Sequence, residues 1–260
     1  YYMDKARFGF RMGPGKVEDH MVHDGLWDTV NDFHMGMANE IISEKYNVGR
    51  EAQDRYAAES YRRTMESIQS GRFKDEIVPV EVTKPKVGTV MFEQDECPRE
   101  TSYDILAKMK PAFKKDGATT AGNASIISDG AAAVIVMNRD KAEELGCEIM
   151  AVIGSQAAYG DDMKYVLVTP IFAIPKVLKK EGISLADLDL IEVNEAFSGS
   201  SVAIIQELGI DHGKFNAIGG GVALGHPIGA SGTRCLTTLL YEMKRQIGRA
   251  SCRERVCHRV

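Results

Sequence analysis

The stretch AIGGGVALGHPIGASG, Ala217 to Gly232, combines a glycine-rich turn with one histidine that is followed by proline. A glycine-rich turn leading into a helix is typical of a phosphate site, whereas a histidine held there can act as a general base or an oxyanion donor. Pro227 biases His226 toward extended backbone angles, and glycines let other backbone approach closely. Two interpretations remain, a histidine presented to chemistry and a turn histidine without a role, and the surrounding glycines weaken the second.

Two nucleotide-binding motifs do not fit this stretch. A dinucleotide fingerprint follows the first strand of a βαβ unit and has an acidic residue about twenty positions later, a context that is missing here. A Walker loop needs Gly-Lys followed by Ser or Thr, which the stretch lacks. The glycines therefore do not predict a nucleotide.

A second candidate is VNEAF, Val193 to Phe197, where polar residues follow an apolar run. The Asn194 amide can hold a water or a carbonyl oxygen with fixed geometry. The structural alternative is that Asn194 caps a helix and Glu195 lies in its first turn. Taken alone, the stretch does not decide between them.

A third candidate is TAGNASIISDGAAA, Thr119 to Ala133, whose small residues would let the amide chain of a ligand run close to the backbone. A solvated turn has the same composition. His34 and Met35, in NDFHMGM, are a weaker signal, because a histidine and a methionine beside a helix start usually pack.

The elements that would position these residues differ between the two halves of the chain. The first third is polar and irregular apart from two helices, and Lys84–Lys115 is rich in loops. The second half alternates short apolar strands with helices at βαβ spacing, which predicts an α/β layered domain with its site at strand ends. The predicted helices are Ala38–Val48, Arg50–Ser70, Lys141–Leu145, Pro170–Lys180, Ala196–Leu208 and Ala230–Arg245, and the predicted strands are Glu76–Val82, Ala131–Met137, Ile149–Gly154, Leu190–Val193 and Phe215–Ile218.

Composition limits the function classes. The 260 residues are 44% hydrophobic and 27% charged, as in an ordinary globular protein, and the net charge of −5 argues against nucleic acid as the main partner. No apolar run reaches the ~18–20 residues that cross a bilayer, so no membrane partner is expected. The five cysteines show neither zinc spacing nor a paired framework, which predicts reduced thiols and a cytoplasmic location.

Both ends of the sequence look non-native. The chain opens with YYMDKARFGF, which has no initiator methionine, apolar leader or arginine-rich presequence and resembles a cut. From Ile247, the text IGRASCRERVCHRV has four arginines, two cysteines and no periodicity, and it resembles a sequencing adapter read as protein. We expect Ile247–Val260 to be a non-native tail; a genuine basic tail is the alternative.

Taken in order, the motifs resemble those of the thiolase family, most closely its acetyl-CoA-condensing members. The matching stretches, between Tyr1 and about Gln246, are YYMDKARFGFRMG, HDGLWD, NDFHMG, KPAFKKDG, TAGNAS, DGAAA, VNEAF and GGGVALGHPIGASGTR. The resemblance implies an α/β fold of thiolase type, a layered αβαβα arrangement that is incomplete here, with an α-rich loop domain. It also implies reversible condensation of two acetyl-CoA molecules to acetoacetyl-CoA through an acyl-cysteine, with a coenzyme A thioester as substrate and neither prosthetic group nor metal.

The resemblance assigns roles to the candidate residues. His226 would activate the nucleophilic cysteine and help form an oxyanion hole, and Asn194 would orient a water in that hole. Ser125 would contact the pantetheine part of coenzyme A. The further residues that would line its path or the acyl pocket are His34, Met35, Phe113, Ala121 and Phe197.

The same resemblance divides the chain. Residues 1–126 would form the loop domain, which covers coenzyme A and carries the contacts of a homotetramer. Residues 127–147 would be the last strand and helix of the N-terminal half, and residues 148–246 an incomplete C-terminal half.

The chain departs from the family in its cysteines and in one loop. The nucleophile would lie upstream of Tyr1, and Cys257 lacks the glycines of the second catalytic motif, Cys-x-Gly-Gly-Gly. The remaining cysteines, Cys97, Cys147 and Cys235, are expected to pack. YVLVTP, Tyr165 to Pro170, replaces a glycine-rich family segment and leaves the acyl chain length open. We therefore expect no turnover from this chain alone. The alternatives are a longer-chain 3-ketoacyl-CoA thiolase and a non-catalytic protein that binds acyl-CoA or lipid.

Overall fold

The computed structural model describes residues 1–3, 5–10, 12–246 and 255–256. In chain order, the strands are β1 (Trp27–Asp28), β2 (Phe33–His34), β3 (Val80–Lys84), β4 (Gly88–Phe92), β5 (Val152–Ile153) and β6 (Arg255–Val256). The α-helices are α1 (Met35–Lys45), α2 (Arg50–Gln69), α3 (Tyr103–Leu106), α4 (Arg139–Glu144), α5 (Pro170–Glu181), α6 (Ser198–Leu208), α7 (Gly221–Leu224) and α8 (Ser231–Gln246). Short 3-10 turns cover Ala6–Phe8, Arg72–Asp75, Met163–Val168 and Leu185–Asp187, and a π-helical turn covers Val22–Leu26.

Helix α2 is the longest helix in the described part of the chain and begins where the sequence predicts. The chain leaves it through Gly71 in a left-handed conformation, with φ of 73°, which glycine adopts without steric cost. Its buried face carries Ala57 and Tyr61 but also several polar side chains, namely Gln53, Asp54, Ser60 and Thr64. A helix that buries polar groups must find hydrogen-bond partners for them, and α2 finds several of these partners in the candidate site.

The strand predicted over Glu76–Val82 begins later than expected. It starts at Val80, directly after Pro79, and pairs antiparallel with β4, with Val80 opposite Phe92 and Lys84 opposite Gly88. The prediction of a loop-rich Lys84–Lys115 missed β4. The start follows from Pro79, which has no backbone N–H to donate to a strand ladder.

The helices of the second half agree with prediction, but their caps differ in part. Helix α5 has Pro170 in its first turn and is followed by left-handed Gly182, as expected. It continues through Pro175 to Glu181. The Thr169 hydroxyl does not cap α5; it donates to the Val166 carbonyl at 2.9 Å.

The main hydrophobic core lies between the first two helices and the second half. It contains buried side chains from α1, α2, α5 and α6 together with Ile191 and Phe215. These two residues form a single parallel bridge, although longer strands were predicted on both sides. The Ile191 amide donates to the Lys214 carbonyl at 2.8 Å, and the Asn216 amide donates to the Ile191 carbonyl at 2.9 Å.

The bridge stops at Asn216 because the backbone turns there, with φ of 47°. The side-chain amide of Asn216 continues the pairing in place of backbone. Its Oδ1 accepts from the Val193 amide at 2.8 Å, and its Nδ2 donates to the Val193 carbonyl at 2.8 Å. The predicted parallel arrangement is therefore present, but much of it is made by one side chain.

The prediction of a buried strand over Ala131–Met137 is wrong for this structure. These residues form no regular strand and are exposed, Ile135 to 87%. A strand is stabilised by its neighbours, and no strand in the described part of the chain pairs with this segment. The following helix, α4, forms as expected, with the Asn138 side chain accepting from the Asp140 amide as its N-cap.

Two further observations concern the chain as a whole. The prediction for Ile247–Val260 falls outside the described residues, except that the backbone of Arg255–Val256 pairs in parallel with β5. Among the described helices, none combines the length and apolar character that a bilayer crossing needs.

Candidate active site

Backbone hydrogen bonds join the three candidate stretches. The Ser125 amide donates to the Ala196 carbonyl at 3.0 Å, and the His226 amide donates to the Ile126 carbonyl at 2.9 Å. The three residues 124–126, here called the link segment, therefore connect VNEAF to the His-Pro loop. Ser125, half-buried, lies within this link.

Two buried carboxylates hold the stretch that precedes the link segment. Glu40, on α1, accepts from the backbone amides of Ala118 and Thr119 at 3.0 and 2.8 Å. Asp54, on α2, accepts from the side-chain amide of Asn123 at 2.8 Å. The polar residues on these helices thus fix a glycine-rich turn that has little apolar surface of its own.

Asn194 and His226 are in contact, with 3.2 Å between Asn194 Nδ2 and His226 Nε2. An amide nitrogen can only donate, so Nε2 accepts and carries no proton. The other ring nitrogen, Nδ1, lies 2.6 Å from the hydroxyl oxygen of Ser231. Ser231 donates to the Pro227 carbonyl at 3.0 Å, so its hydroxyl accepts from Nδ1–H. The geometry therefore sets a neutral imidazole with its proton on Nδ1.

Burial lowers the pKa of His226, and the nearby positive charge of Arg234 lowers the pKa further. The imidazole is therefore neutral at pH 7, in agreement with its hydrogen bonds. A neutral ring whose Nε2 carries no proton, and only accepts a hydrogen bond from Asn194, can take a proton from a thiol.

The side-chain oxygen of Asn194 is buried and has no hydrogen-bond partner among the described residues. Buried acceptors are nearly always satisfied, so this oxygen points to a ligand or an ordered water. The capping alternative for VNEAF does not apply, because α6 begins at Ser198 and Asn194 contacts His226 instead.

An aromatic cluster lies beside the link segment. The rings of His34 and Phe113 stack at 4.8 Å, and Phe113 meets Phe197 edge to face at 6.3 Å. Gly36 makes room for this cluster, because a Cβ atom there would lie 2.4 Å from the Phe113 ring. His34 also caps α1, its Nδ1 accepting from the Gly36 amide at 3.0 Å, and burial lowers its pKa.

The other two residues that were predicted to contact the ligand lie outside this cluster of stacked rings. Met35 is half-buried at the start of α1, and Ala121 is exposed. Among the described residues, no group of three or more His, Cys, Asp or Glu side chains could hold a metal ion.

Sequence reasoning did not single out Ser231, which accepts from the proton-bearing nitrogen of His226. A signal was present, since Ser231 begins the helix directly after the His-Pro turn and so lies near the ring. Hydroxyl residues at helix starts commonly act as caps, however, so the sequence alone did not indicate that Ser231 accepts a hydrogen bond from His226.

Two family models match this chain. The family model "Thiolase, N-terminal domain" matches residues 1–140, and "Thiolase, C-terminal domain" matches residues 147–258. The chain belongs to the thiolase family.

The chain is similar to named thiolases in sequence. It is 50% identical over 247 residues to an acetyl-CoA acetyltransferase of Pseudomonas aeruginosa, covering 95% of this chain and 63% of the relative. It is 44% identical over 246 residues to a probable acetyl-CoA acyltransferase of Staphylococcus aureus, covering 94% and 63%. The chain thus spans just under two thirds of the length of these curated relatives.

Solved thiolase structures agree with the fold. The Bacillus anthracis acetyl-CoA acetyltransferase has a TM-score of 0.91 and 40% identity, covering 95% of this chain and 62% of that one. A human mitochondrial 3-ketoacyl-CoA thiolase, solved in complex with CoA, has a TM-score of 0.90 and 38% identity, with coverage of 95% and 62%. The incomplete α/β thiolase fold expected from the motifs is therefore confirmed.

The cysteines of this thiolase chain have different surroundings. Cys235 is buried, and burial raises the pKa of its thiol to about 12, so it is a packing residue as expected. Cys147 is exposed, which corrects the expectation that it packs. Cys97 is half-buried, with its Sγ 3.3 Å from the Ser128 hydroxyl.

Proposed function

We propose that this chain is part of a thiolase-type acyltransferase that condenses two acetyl-CoA molecules to acetoacetyl-CoA and catalyses the thiolytic reverse. The contact of Asn194 Nδ2 with the unprotonated Nε2 of His226, at 3.2 Å, carries this proposal. It is supported by acetyl-CoA acetyltransferase relatives at up to 50% identity. Because the chain spans only part of these relatives, the activity is proposed for the whole parent protein.

In this mechanism, His226 first acts as a base. Its Nε2 takes the proton of a cysteine thiol, and the resulting thiolate attacks the thioester carbonyl. When the bond from the carbonyl carbon to the sulfur of coenzyme A breaks, Nε2 returns this proton to the departing sulfur, so coenzyme A leaves as its thiol and the acyl group stays on the cysteine. The Ser231 oxygen stabilises the imidazolium by continuing to accept from Nδ1–H.

Between these two proton transfers, His226 acts as a donor. The Nε2–H of the charged ring donates to the thioester oxygen on which negative charge develops, together with a water held by the free Asn194 oxygen. One such donor is worth roughly 3–4 kcal/mol in a preorganised site. The base and the oxyanion donor are therefore the same ring nitrogen in two protonation states.

The aromatic cluster and the link segment are proposed to bind the coenzyme A arm. The rings of His34, Phe113 and Phe197 offer apolar faces, and Ser125 offers a hydroxyl group. Met35 and Ala121 complete the proposed path. No metal or prosthetic group is part of the proposal.

The reacting thiols are proposed to come from parts of the parent outside this sequence. Cys235 does not serve, because a buried thiol with a pKa of about 12 is not a thiolate near neutral pH. The 260-residue chain alone is therefore expected to have no turnover.

The test is an acetoacetyl-CoA assay in both directions on the full-length parent. We expect His226→Ala to lower kcat about 10³-fold, since it removes both the base and the donor. The matched control is His20→Ala, an exposed histidine paired with Asp24, which should leave kcat unchanged. Parent protein that binds acyl-CoA but turns over no chain length would support the non-catalytic alternative and end the proposal.

A longer-chain 3-ketoacyl-CoA thiolase is the second candidate. It is favoured by the likeness to the human mitochondrial 3-ketoacyl-CoA thiolase. Thiolysis rates of the parent on a series of 3-ketoacyl-CoA lengths distinguish the two. A rate that falls steeply beyond four carbons supports the first proposal, and a rate that rises supports the second.

We further propose a cytoplasmic homotetramer whose contacts come from residues 1–126, a loop domain. Strongly exposed apolar side chains near its start support an interface there: Tyr1 is 90%, Phe8 89% and Met12 97% exposed. Residues 127–147 and 148–246 would belong to the two thiolase halves, which the family-model boundaries at 140 and 147 support. Light scattering and cell fractionation of the parent test the assembly and the location.

A further inference from the structure

Glu195 follows the site residue Asn194 and is almost fully buried, with 1% of its surface exposed. Its carboxylate accepts four hydrogen bonds. Oε1 accepts from the Tyr56 hydroxyl at 2.6 Å and from Asn216 Nδ2 at 2.9 Å. Oε2 accepts from the Ser60 hydroxyl at 2.8 Å and from the Val222 amide at 3.1 Å.

The carboxylate is held from several sides, because each of the four groups donates to it. Two of the donors are also held by other partners. Ser60 accepts from the Gly220 amide at 3.2 Å, and Asn216 is bonded to both backbone groups of Val193. Burial and the adjacent carboxylate raise the pKa of Tyr56 well above its usual value, so its hydroxyl keeps the donated proton.

The first glycines of the His-Pro loop pack directly on Glu195. A Cβ atom on Gly220 would lie 2.4 Å from the Glu195 carboxyl carbon, and one on Gly221 would lie 2.9 Å from the Glu195 carbonyl oxygen. Gly220 therefore makes room for the Glu195 carboxylate, and Gly221 makes room for the Glu195 backbone. From this contact, the short helix α7 runs to Leu224, with Leu224 N bonded to Gly220 O at 2.8 Å.

Glu195 thus joins the two loops that carry the site. Asn194 is its direct neighbour in sequence, and His226 follows α7 by two residues. We propose that Glu195 is a positioning residue that holds the Asn194 amide against the His226 imidazole by tying α7 and α2 to VNEAF. The proposal about geometry stands by itself, and its consequence for catalysis rests on the proposed function.

The test uses nitrogen NMR of the 260-residue chain labelled with ¹⁵N-histidine. His226→Gln assigns the His226 signals among the six histidines. The wild-type chain should show the tautomer with the proton on Nδ1. Glu195→Gln should shift the Nε2 signal and mix the tautomers, because its amide group turns donors toward Ser60 or Val222, which are themselves donors.

The matched control is Glu242→Gln. Glu242 is also a buried carboxylate, 4% exposed, but it bonds to Arg245 and Gln246 at the far end of α8. It should leave the His226 signals unchanged. Equal shifts in both variants would mean a general loss of packing and would overturn the proposal, as would a folded Glu195→Gln chain with wild-type His226 signals.

Tyr56→Phe tests the positioning role of Glu195 if the Glu195→Gln variant does not fold. It removes one of the four donors and keeps the ring, so it should move the same signals in the same direction by a smaller amount. Unchanged His226 signals in folded Tyr56→Phe would contradict the proposal.

Kinetics of the full-length parent provide the second measurement. Glu195→Gln should lower kcat about 100-fold, as a misplacement of about 1 Å does, and leave KM for acyl-CoA unchanged. Wild-type parent without thiolase turnover would end the proposed function but not the positioning role, which the NMR comparison decides. Active parent with an unaltered kcat in Glu195→Gln would end the positioning role alone.

Discussion

Two regions of the molecule show burial that is the reverse of what side-chain polarity predicts. The polar Glu195 is buried, and the apolar segment Ala131–Met137 is exposed. Glu195 is charged and 1% exposed, whereas Ile135 is aliphatic and 87% exposed. The carboxylate is buried because four donors reach it. The apolar segment is exposed because no described strand pairs with it. In this chain, the supply of partners decides burial more than side-chain polarity does.

The largest expected effect on stability comes from removing a hydrogen-bond partner of the buried Glu195 carboxylate. Asn216→Ala leaves the Val193 backbone groups and one Glu195 bond unsatisfied, and it should lower the free energy of unfolding by about 3 kcal/mol. Urea unfolding followed by circular dichroism measures this.

The control for that variant is Asn47→Ala. Asn47 is exposed and has φ of 55°, close to the 47° of Asn216, so it isolates the backbone cost, about 1 kcal/mol. Equal losses in the two variants would show that left-handed strain, and not the hydrogen bonds, accounts for the effect.

An intermediate effect concerns the charge near His226. Arg234→Met should raise the pKa of His226 but leave it below its usual value, because burial, the larger cause of the lowered pKa, remains. Arg234→Lys keeps the charge and should leave the pKa nearly unchanged. Histidine NMR titration measures both, and a fall of the pKa in Arg234→Met would contradict the assigned sign.

The lowered pKa of His226 also makes the stability of the folded chain depend on pH. The folded state holds the pKa of His226 below that of the unfolded chain, so the unfolded state binds the proton first as the pH falls. This contribution is fully favourable above the unfolded value of about 6.5 and is lost as the pH falls toward the folded pKa. Arg234→Met should make that loss smaller.

The smallest effect on stability is expected in the exposed segment. Ile135→Lys should change the free energy of unfolding by no more than about 0.5 kcal/mol, because the side chain is already in water. It should nevertheless weaken self-association of the chain, since a patch of exposed apolar side chains associates with other copies. Sedimentation velocity over a range of concentrations measures this, with Thr89→Lys on exposed β4 as the equally charged control. Large destabilisation by Ile135→Lys would show that the segment is packed.

The longer helices were predictable from the sequence, whereas the strands were predicted only in part. Glycines at 71, 182 and 209 mark helix ends with left-handed backbone, a local signal. The pairing of Ile191 with Phe215 depends on residues far apart in sequence, and Asn216 replaces part of it with a side chain, which no alternation pattern reveals.

The candidate site, like the strands, was predictable from the sequence only in part. The types and order of Asn194 and His226 led to the thiolase resemblance, which then brought them together. The contacts of Glu195 lie 139 residues away at Tyr56 and 135 away at Ser60, so its place in the sequence indicated only a helix start.

The link segment makes the two loops of the candidate active site depend on one short piece of chain. A protease cut or a bulky ligand that displaced residues 124–126 would break the Ser125–Ala196 and His226–Ile126 bonds together. We expect a ligand that binds at Ser125 and separates these hydrogen-bonded pairs to displace both loops without contacting the His226 imidazole.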